Sequence, residues 1–165
     1  MSRIFRISGN FMQFGKWSEP DPSFSGKIIV NEKDEFIGFC DELYCSNMSE
    51  VNRIRYIAGA FAENGRNGKR GIAFYKMSNG PEQSPFMYVT PDLANPESGS
   101  WAALSIFGYF QEQGRSKIAI EEEVYSEEEE NRIKSKYQSL NKEVNGNNEL
   151  LDQVYCCKDI IAHAT

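Results

Sequence analysis

Histidine is almost absent from this chain, since His163 is the one histidine among 165 residues. A catalytic dyad or triad built on histidine, and a metal site with several histidine ligands, are therefore excluded by count. The serines and cysteines have no accompanying base, and no glycine-rich phosphate loop precedes a helix. We expect no cofactor, no metal site and no catalytic residue of these kinds.

Secretory and membrane signals are also missing. The start, Met1-Ser2-Arg3-Ile4, has no long apolar core, and no window approaches the 18 apolar residues of a transmembrane helix. The four cysteines lack C-x-x-C or zinc-finger spacing; they are Cys40, Cys45, Cys156 and Cys157. We therefore expect a cytoplasmic protein whose thiols are reduced.

Positive charge is in deficit, with 18 lysines and arginines against 24 acidic residues and a net charge of −6. Nucleic acids and anionic membranes both require a cationic surface on their partner. We expect neither kind of partner. The glutamate runs at 121–123 and 127–130 are interpreted as a solvated strand end and a helix N-terminus rather than a cation site.

What the chain does have is a regular alternation of apolar runs and turn residues. Runs rich in Ile, Val, Phe, Tyr and Trp extend from Arg3 to about Val124, separated by Gly, Asn, Asp and Pro. This alternation predicts about eight antiparallel strands in meander order. The predicted strands are 4–14, 24–30, 36–44, 53–62, 71–77, 86–90, 101–110 and 117–124, and the last hairpin is predicted to turn at 111–114.

Several of these strands are apolar on both faces. Trp101 and Ala103 face one way, whereas Ala102 and Leu104 face the other. A sheet with one wet face should alternate apolar and polar residues, so both faces must be covered. We predict a mainly β fold, α+β by content, in which about eight strands close into an antiparallel barrel. A highly curved sheet wrapped around the first tail helix is the rival topology.

The period becomes helical after residue 124. Ser126 and Glu129 form a capping box at the head of a predicted helix. Its apolar stripe comprises Ile133, Tyr137, Leu140 and Val144. A second amphipathic stretch, 148–162, is predicted to be helical, and a ninth strand is the alternative.

A chain of 165 residues is most simply one domain with a sizeable core. We expect the barrel to occupy 1–124 and the helical tail, 125–165, to pack on it. Any apolar outer face that the tail leaves uncovered would suit self-association, so a homodimer is an alternative expectation.

A short motif adds a resemblance. Gly15-Lys16-Trp17 resembles the Gly-x-Trp element of the calycin group of β-barrels, which includes lipocalins, avidins and small bacterial relatives. Phe24-Ser25-Gly26 and Phe36-Ile37-Gly38 resemble the glycine-bearing strands of avidins. Lipocalins usually carry a basic residue late in the barrel that packs on the tryptophan, and Arg115 and Lys117 are the candidates here. The resemblance implies a central pocket at one end of the barrel and no particular ligand.

Aromatic residues with polar tips suit a pocket for a small apolar or aromatic ligand, although they also suit a packed core. The predicted ligand-binding residues are Tyr44, Tyr56, Tyr75 and Trp101, with Arg55 or Glu42 supplying polarity. A slip of one residue in strand register would turn a strand's candidates to the opposite face.

The carboxyls of Asp41 and Glu42 lie inside an apolar strand. A carboxyl inside a barrel would have a raised pKa and could act as an acid or base. We expect instead an outward carboxylate, or one paired with Arg53 or Arg55 on the next strand.

Three functions follow from these observations. The first is non-enzymatic binding of a small ligand by a cytoplasmic barrel. The second is a structural or regulatory interaction module that has a solidly packed barrel and self-associates. The third is a histidine-independent enzyme that uses barrel carboxylates.

Overall fold

The computed structural model shows an antiparallel β-barrel closed by hydrogen bonds between its first and last long strands. The structure describes residues 1–45, 47, 49, 53–77, 86–104, 110–144 and 157–164. The strands are β1 (Arg3–Gln13), β2 (Lys16–Trp17), β3 (Phe24–Val30), β4 (Glu35–Glu42), β5 (Ile54–Glu63), β6 (Arg70–Met77), β7 (Phe86–Thr90), β8 (Gly99–Leu104) and β9 (Phe110–Glu123). The helices are α1 (Glu127–Val144) and α2 (residues 157–163).

Eight of the described strands, β1 and β3 to β9, pair in chain order, each antiparallel to the next. β9 then pairs with β1 along a register that runs from Ile4↔Glu123 to Phe11↔Ser116. This pairing closes the barrel, confirms the predicted fold and excludes the open curved sheet. The short β2 only folds back onto the end of β1.

The predicted turn at 111–114 is wrong. These residues belong to β9, where Gly114 pairs with Trp101 of β8. A Cβ on Gly114 would clash with the carbonyl oxygen of Met12 and lie 2.7 Å from Trp101 Nε1. Glycine is needed there because β1 and the indole ring approach the backbone closely, and no turn is involved.

Alternate residues of each strand point into the barrel. The buried interior cluster consists of Ile7, Phe24, Ile28, Val30, Phe36, Cys40, Ile57, Phe61, Ile72, Phe74, Tyr88, Trp101, Ala103 and Ile118. Near its middle, the rings of Phe74 and Tyr88 stack with centroids 5.0 Å apart. The middle of the barrel is therefore filled by side chains, and space for a ligand is left at the two ends.

The outer face of the barrel forms a second apolar cluster with the helices. Ile133 and Tyr137 of α1 are buried on it, and the Tyr137 ring meets the Tyr56 ring edge-on at 5.5 Å. Ile161 of α2 is buried in the same cluster. The stripe prediction is confirmed for Ile133 and Tyr137, while the side chains of residues 140–144 lie outside the described set.

The start of α1 is fixed by local hydrogen bonds and charge. Ser126 Oγ accepts a hydrogen bond from the Glu129 amide at 3.2 Å, which confirms the predicted cap. Lys27 Nζ on β3 lies 3.0 Å from carboxylate oxygens of both Glu123 and Glu129 and fastens the helix to the barrel. Residues 157–163 are helical, as predicted for 148–162, and 145–156 lie outside the described residues.

Candidate functional site

A cavity of about 190 Å³ opens at the end of the barrel where β1, β4 and β6 finish. Its lining consists of Phe11, Gln13, Tyr44, Lys76, Phe86, Tyr88 and Trp101. We call this end the aromatic mouth. The Phe11 ring meets the rings of Tyr44 and Trp101 edge-on at 5.5 and 5.7 Å, so the walls are built of interlocking aromatic rings.

A buried ion pair lies at this mouth. Lys76 Nζ on β6 is 2.6 Å from Glu42 Oε1 on β4, and the two side chains are only 3% and 1% exposed. Glu42 Oε2 is also buried and accepts no hydrogen bond from the described residues. Four rings surround the ammonium, with centroids 4.3 Å (Phe24), 5.0 Å (Tyr88), 5.5 Å (Phe11) and 5.8 Å (Phe86) from Lys76 Nζ. The polar part of the cavity is thus a cation held between a carboxylate and aromatic faces.

The two-residue period of the strands explains why both charged groups point inward. Lys76 shares its face of β6 with Phe74, which belongs to the interior cluster, and Glu42 shares its face of β4 with Cys40. Asp41 therefore points outward, where its carboxylate lies 3.1 Å from Arg53 Nε. The expected outward carboxylate paired with Arg53 is confirmed for Asp41, although Arg53 immediately precedes β5 and does not lie on it. That expectation is wrong for Glu42, which lies inside the barrel and pairs with Lys76.

Burial and neighbouring charge set the protonation of this site. Burial disfavours the Lys76 ammonium, but the negative charges of Tyr88, once it is ionised, and of Glu42 outweigh burial, and the pKa of Lys76 is raised. Burial also raises the pKa of Tyr88 to about 12 and raises the pKa of the Cys40 thiol. At neutral pH the lysine is therefore charged, while the phenol and the thiol keep their protons.

The structure brings four of the six predicted site residues to this end of the barrel. Tyr44 and Trp101 line the cavity. Glu42 belongs to the buried pair, and Arg55 lies opposite Cys40 in the β4–β5 ladder, on the same inner face. Whether these residues bind a ligand stays a prediction.

Tyr56 and Tyr75, the other two predicted site residues, lie on the outer face of their strands. Both belong to the outer cluster, and Tyr56 packs against Tyr137 of α1. The one-residue offset between Tyr75 and Lys76 decides which side chain reaches the interior. They are not part of the cavity.

The opposite end of the barrel, which we call the arginine mouth, is larger and more polar. Its cavity of about 610 Å³ is lined by Arg3, Phe5, Asp34, Phe61, Arg70, Leu93, Pro96, Ile118, Ala119, Ile120 and Glu122. Arg3 Nη2 and Arg70 Nη2 each donate a hydrogen bond to Asp34 Oδ1 at 3.1 Å. Sequence reasoning missed this site because the three residues are about 30 to 70 positions apart and meet only when the barrel closes.

The tryptophan of the Gly15-Lys16-Trp17 motif is covered by cations from the last strand. Lys117 Nζ lies 4.3 Å and Arg115 Cζ 5.6 Å from the centroid of the Trp17 ring. Both distances are within the range of a cation–π contact. Both candidate basic residues therefore meet the tryptophan, on the outside of the barrel wall that β1, β2 and β9 form.

No family model, no curated protein and no solved structure matches the chain. Neither helix of the described part is long and apolar enough to cross a membrane. In the same part of the chain, no three His, Cys, Asp or Glu side chains converge in a way that would hold a metal ion. The two mouths of the barrel are therefore the features that bear on its function.

Proposed function

We propose that this protein is a non-enzymatic binder of a small ligand, and that the ligand occupies the aromatic mouth. The observation that carries the proposal is the Lys76–Glu42 ion pair beside an aromatic cavity. The main alternative remains an interaction module with a packed barrel.

The ion pair supports the proposal because burying two charges inside the barrel costs more free energy than burying apolar side chains there. Moving two charges out of water costs several kcal/mol per ion, and apolar side chains of similar volume are often at least as stable. Glu42 Oε2 has no donor among the described residues, so the pair is also incompletely satisfied. A buried charged group with a perturbed pKa beside a cavity, such as Lys76, is typical of a binding site.

The size of the cavity limits the ligand to about one ring. An apolar cavity of about 150 Å³ holds a benzene molecule, and the aromatic mouth offers about 190 Å³. Lys76 presents N–H donors at the cavity wall, so a carbonyl oxygen is the complementary ligand group. Glu42 already neutralises the ammonium, so an uncharged carbonyl suits the site better than a carboxylate does.

The protonation of the site favours binding over catalysis. An amine nucleophile needs a lowered pKa, whereas the pKa of Lys76 is raised. A phenol with a pKa of about 12, as for Tyr88, is poorly matched to acid–base work at neutral pH. We therefore favour a binder over an enzyme that uses barrel carboxylates.

We also propose kinship with calycin-like barrels. The support is the closed eight-stranded antiparallel barrel together with Trp17 covered by Lys117 and Arg115. The proposal implies a pocket at one end of the barrel, which is where the aromatic mouth lies. It adds no ligand identity.

Self-association stays the second candidate because one outer face of the barrel has a depression lined partly by apolar side chains. Met87, Val89 and Ala102 line it on β7 and β8. Mass measured under native and then denaturing conditions separates the candidates: a ligand lost on denaturation supports the binder, and a ligand-free dimer supports the module.

Benzamide and toluene are the probes for the aromatic mouth, because they have similar shape and differ in the carbonyl group. Trp17→Phe leaves Trp101 as the one tryptophan, and its ring lines the cavity. We expect both probes to change Trp101 emission saturably. Benzamide should bind more tightly by about tenfold, the value of one hydrogen bond to a charged donor.

A second experiment removes both charges of the Lys76–Glu42 pair together, so that neither charge is left buried without its partner. Glu42→Leu with Lys76→Met should abolish the benzamide preference and retain toluene binding. The matched control is the outward pair, Asp41→Leu with Arg53→Met, which should leave the preference intact. No saturable change with either probe, or an equal loss in both double variants, would remove the proposal and favour the interaction module.

A further inference from the structure

We propose that the arginine mouth is a second ligand site, which takes an organic carboxylate with an apolar body of about two fused rings. The site is formed by Arg3, Arg70 and Asp34. It lies at the far end of the barrel from Lys76 and Glu42 and does not depend on the function proposed for the aromatic mouth.

Among the described residues, most N–H donors of the two arginines have no protein acceptor. A guanidinium carries five N–H donors in a planar fork. Arg3 and Arg70 each give one hydrogen bond to the same oxygen, Asp34 Oδ1, at 3.1 Å. Glu122 Oε1 forms a loose ion pair with Arg3 Nη1 at 4.0 Å, which is beyond hydrogen-bond reach. One oxygen of Asp34 thus accepts hydrogen bonds from both guanidinium groups. The carboxylate of a ligand could accept two parallel hydrogen bonds from either guanidinium group.

The backbone and the rings hold these groups in position. Asp34 has a left-handed φ of 61°, and its carbonyl accepts a hydrogen bond from the Phe61 amide at 2.8 Å. Arg70 Cζ lies 4.8 Å from the Phe61 ring centroid, and Arg3 Cζ lies 5.4 Å from that of Phe5. Ring stacking and the anchored turn keep the guanidinium groups at the mouth, which lowers the entropy lost on binding.

Apolar side chains make up the rest of the cavity lining beside the charged groups. They include Phe5, Phe61, Leu93, Ile118 and Ile120. The volume of about 610 Å³ falls within the range of small-molecule sites. The Leu93 amide donates to the Arg70 carbonyl at 2.9 Å, which ties the loop after β7 to the wall of the cavity. An apolar body would lie against this lining while its carboxylate meets the arginines.

Asp34 makes the proposal testable because it competes with the ligand for the same donors. A residue that merely supports the mouth should weaken binding when it is changed. A competing anion should strengthen binding when its charge is removed. Asn is the conservative replacement, since it tolerates the left-handed backbone that Asp34 adopts.

The probe is 2-naphthoate, with uncharged 2-naphthamide as its isostere, titrated calorimetrically into the full chain. We expect Asp34→Asn to tighten naphthoate binding by about tenfold and Arg70→Gln to weaken it by about tenfold, as for a charge-assisted contact. Arg66→Gln is the matched control: it removes the same charge from an exposed residue in the β5–β6 turn at this end. It should change affinity by less than about twofold. Naphthamide binding should not respond to Asp34→Asn.

Several results would overturn the proposal. They are no naphthoate binding at millimolar concentration, equal effects of Arg70→Gln and Arg66→Gln, or weaker binding in a folded Asp34→Asn variant. Loss of naphthoate binding in the Glu42→Leu, Lys76→Met variant would assign the anion to the aromatic mouth and would overturn it as well. Circular dichroism of each variant confirms that the barrel is folded.

Discussion

At the scale of single residues, the stability of the barrel depends on keeping Lys76 and Glu42 together. Each side chain is almost fully buried, so neither charge can turn to solvent if its partner is lost. The neighbouring pair, Asp41 and Arg53, lies on the outer face and is partly exposed, with side chains 30% and 24% accessible. The two pairs therefore test the effect of burial on similar chemistry.

We predict that Lys76→Met alone destabilises the protein by about 3–5 kcal/mol, because it leaves the Glu42 carboxylate buried and unpaired. Adding Glu42→Leu should recover most of that loss. Arg53→Met, the outward control, should cost no more than about 1 kcal/mol. Urea unfolding measures all three. A cost for Lys76→Met that equals the cost for Arg53→Met would show that the pair is not buried in solution.

Prediction of which side chains face inward failed for Tyr56 and Tyr75, where one position in register mattered. The sequence makes Tyr75 a more attractive site residue than Lys76, because a lysine in an apolar strand is normally an exposed interruption. Phe74 and Lys76 share a face, and the alternation of β6 could have identified this if the inner face had been known. Closure of the barrel with distant strands determines which face of β6 points inward, so the local sequence does not reveal it.

At the scale of elements, α1 is held by its first turn and by its buried face. The cap at Ser126 and the stripe through Ile133 and Tyr137 were predictable because both follow from spacing within one helix. β3 and β7 were also predictable from local sequence, and their predicted and observed bounds coincide. β9 was predicted too short because Gly114 was interpreted as a turn residue, although its role is to admit Trp101.

We predict that Ser126→Ala costs about 1 kcal/mol, the usual loss for a helix N-cap. Ser135→Ala is the matched control, since Ser135 is exposed in the middle of α1 and alanine favours a helix there. The control should be neutral or slightly stabilising in urea unfolding. Equal effects of the two substitutions would mean that the cap does not stabilise the cooperative unit.

The contact between α1 and β3 should weaken in acid. A hydrogen bond from Arg132, with a further one from Lys27, lowers the pKa of Glu129 from 4.5 to about 2. A carboxyl with a depressed pKa in the folded state stabilises the fold above its unfolded pKa and loses that effect as pH falls through the folded value. Wild type should therefore be more stable than Glu129→Gln above about pH 4.5. The difference should shrink below that pH and vanish near pH 2.

Glu128→Gln is the control for this profile. Glu128 is exposed in the same first turn and makes the same favourable interaction with the helix N-terminus. Its substitution should show a smaller pH-dependent difference when urea unfolding is repeated from pH 7 to pH 2. A pH profile for Glu129→Gln that matches the Glu128→Gln profile would contradict the role of Lys27 and Arg132.

At the scale of the whole molecule, barrel and tail should unfold together. α1 buries Ile133 and Tyr137 on the outer wall of the barrel. If the barrel opens, these side chains lose the surface that buries them, and the helix loses its main stabilising contact. In Trp17→Phe, emission reports Trp101 inside the barrel, and circular dichroism at 222 nm reports mainly the helices. We predict coincident urea transitions, as for a single cooperative domain. Loss of the helical signal first would show that the tail is a separate unit.

The architecture was more predictable than the site. Strands that are apolar on both faces need both faces shielded from water. A closed barrel shields the inner face, and helices packed outside it shield part of the outer face. The two mouths were harder to predict because each collects residues from several strands. Arg3 on β1 and Arg70 on β6 reach the same carboxylate, Asp34 in the β3–β4 turn, because the sheet curls into the barrel that the β1–β9 ladder closes.

That ladder also determines when folding can finish. β1 is made first during synthesis, yet one of its two edges pairs with β9, where Ile4 lies opposite Glu123. About 110 residues must therefore leave the ribosome before the last edge of β1 is covered, and contacts of such long sequence separation form slowly. Until then the nascent chain presents an unpaired apolar strand, so the interval before closure is when aggregation is most favoured. Substitutions that delay the pairing of β9 with β1 should consequently lower the yield of folded protein more than they lower the free energy of unfolding of the folded protein.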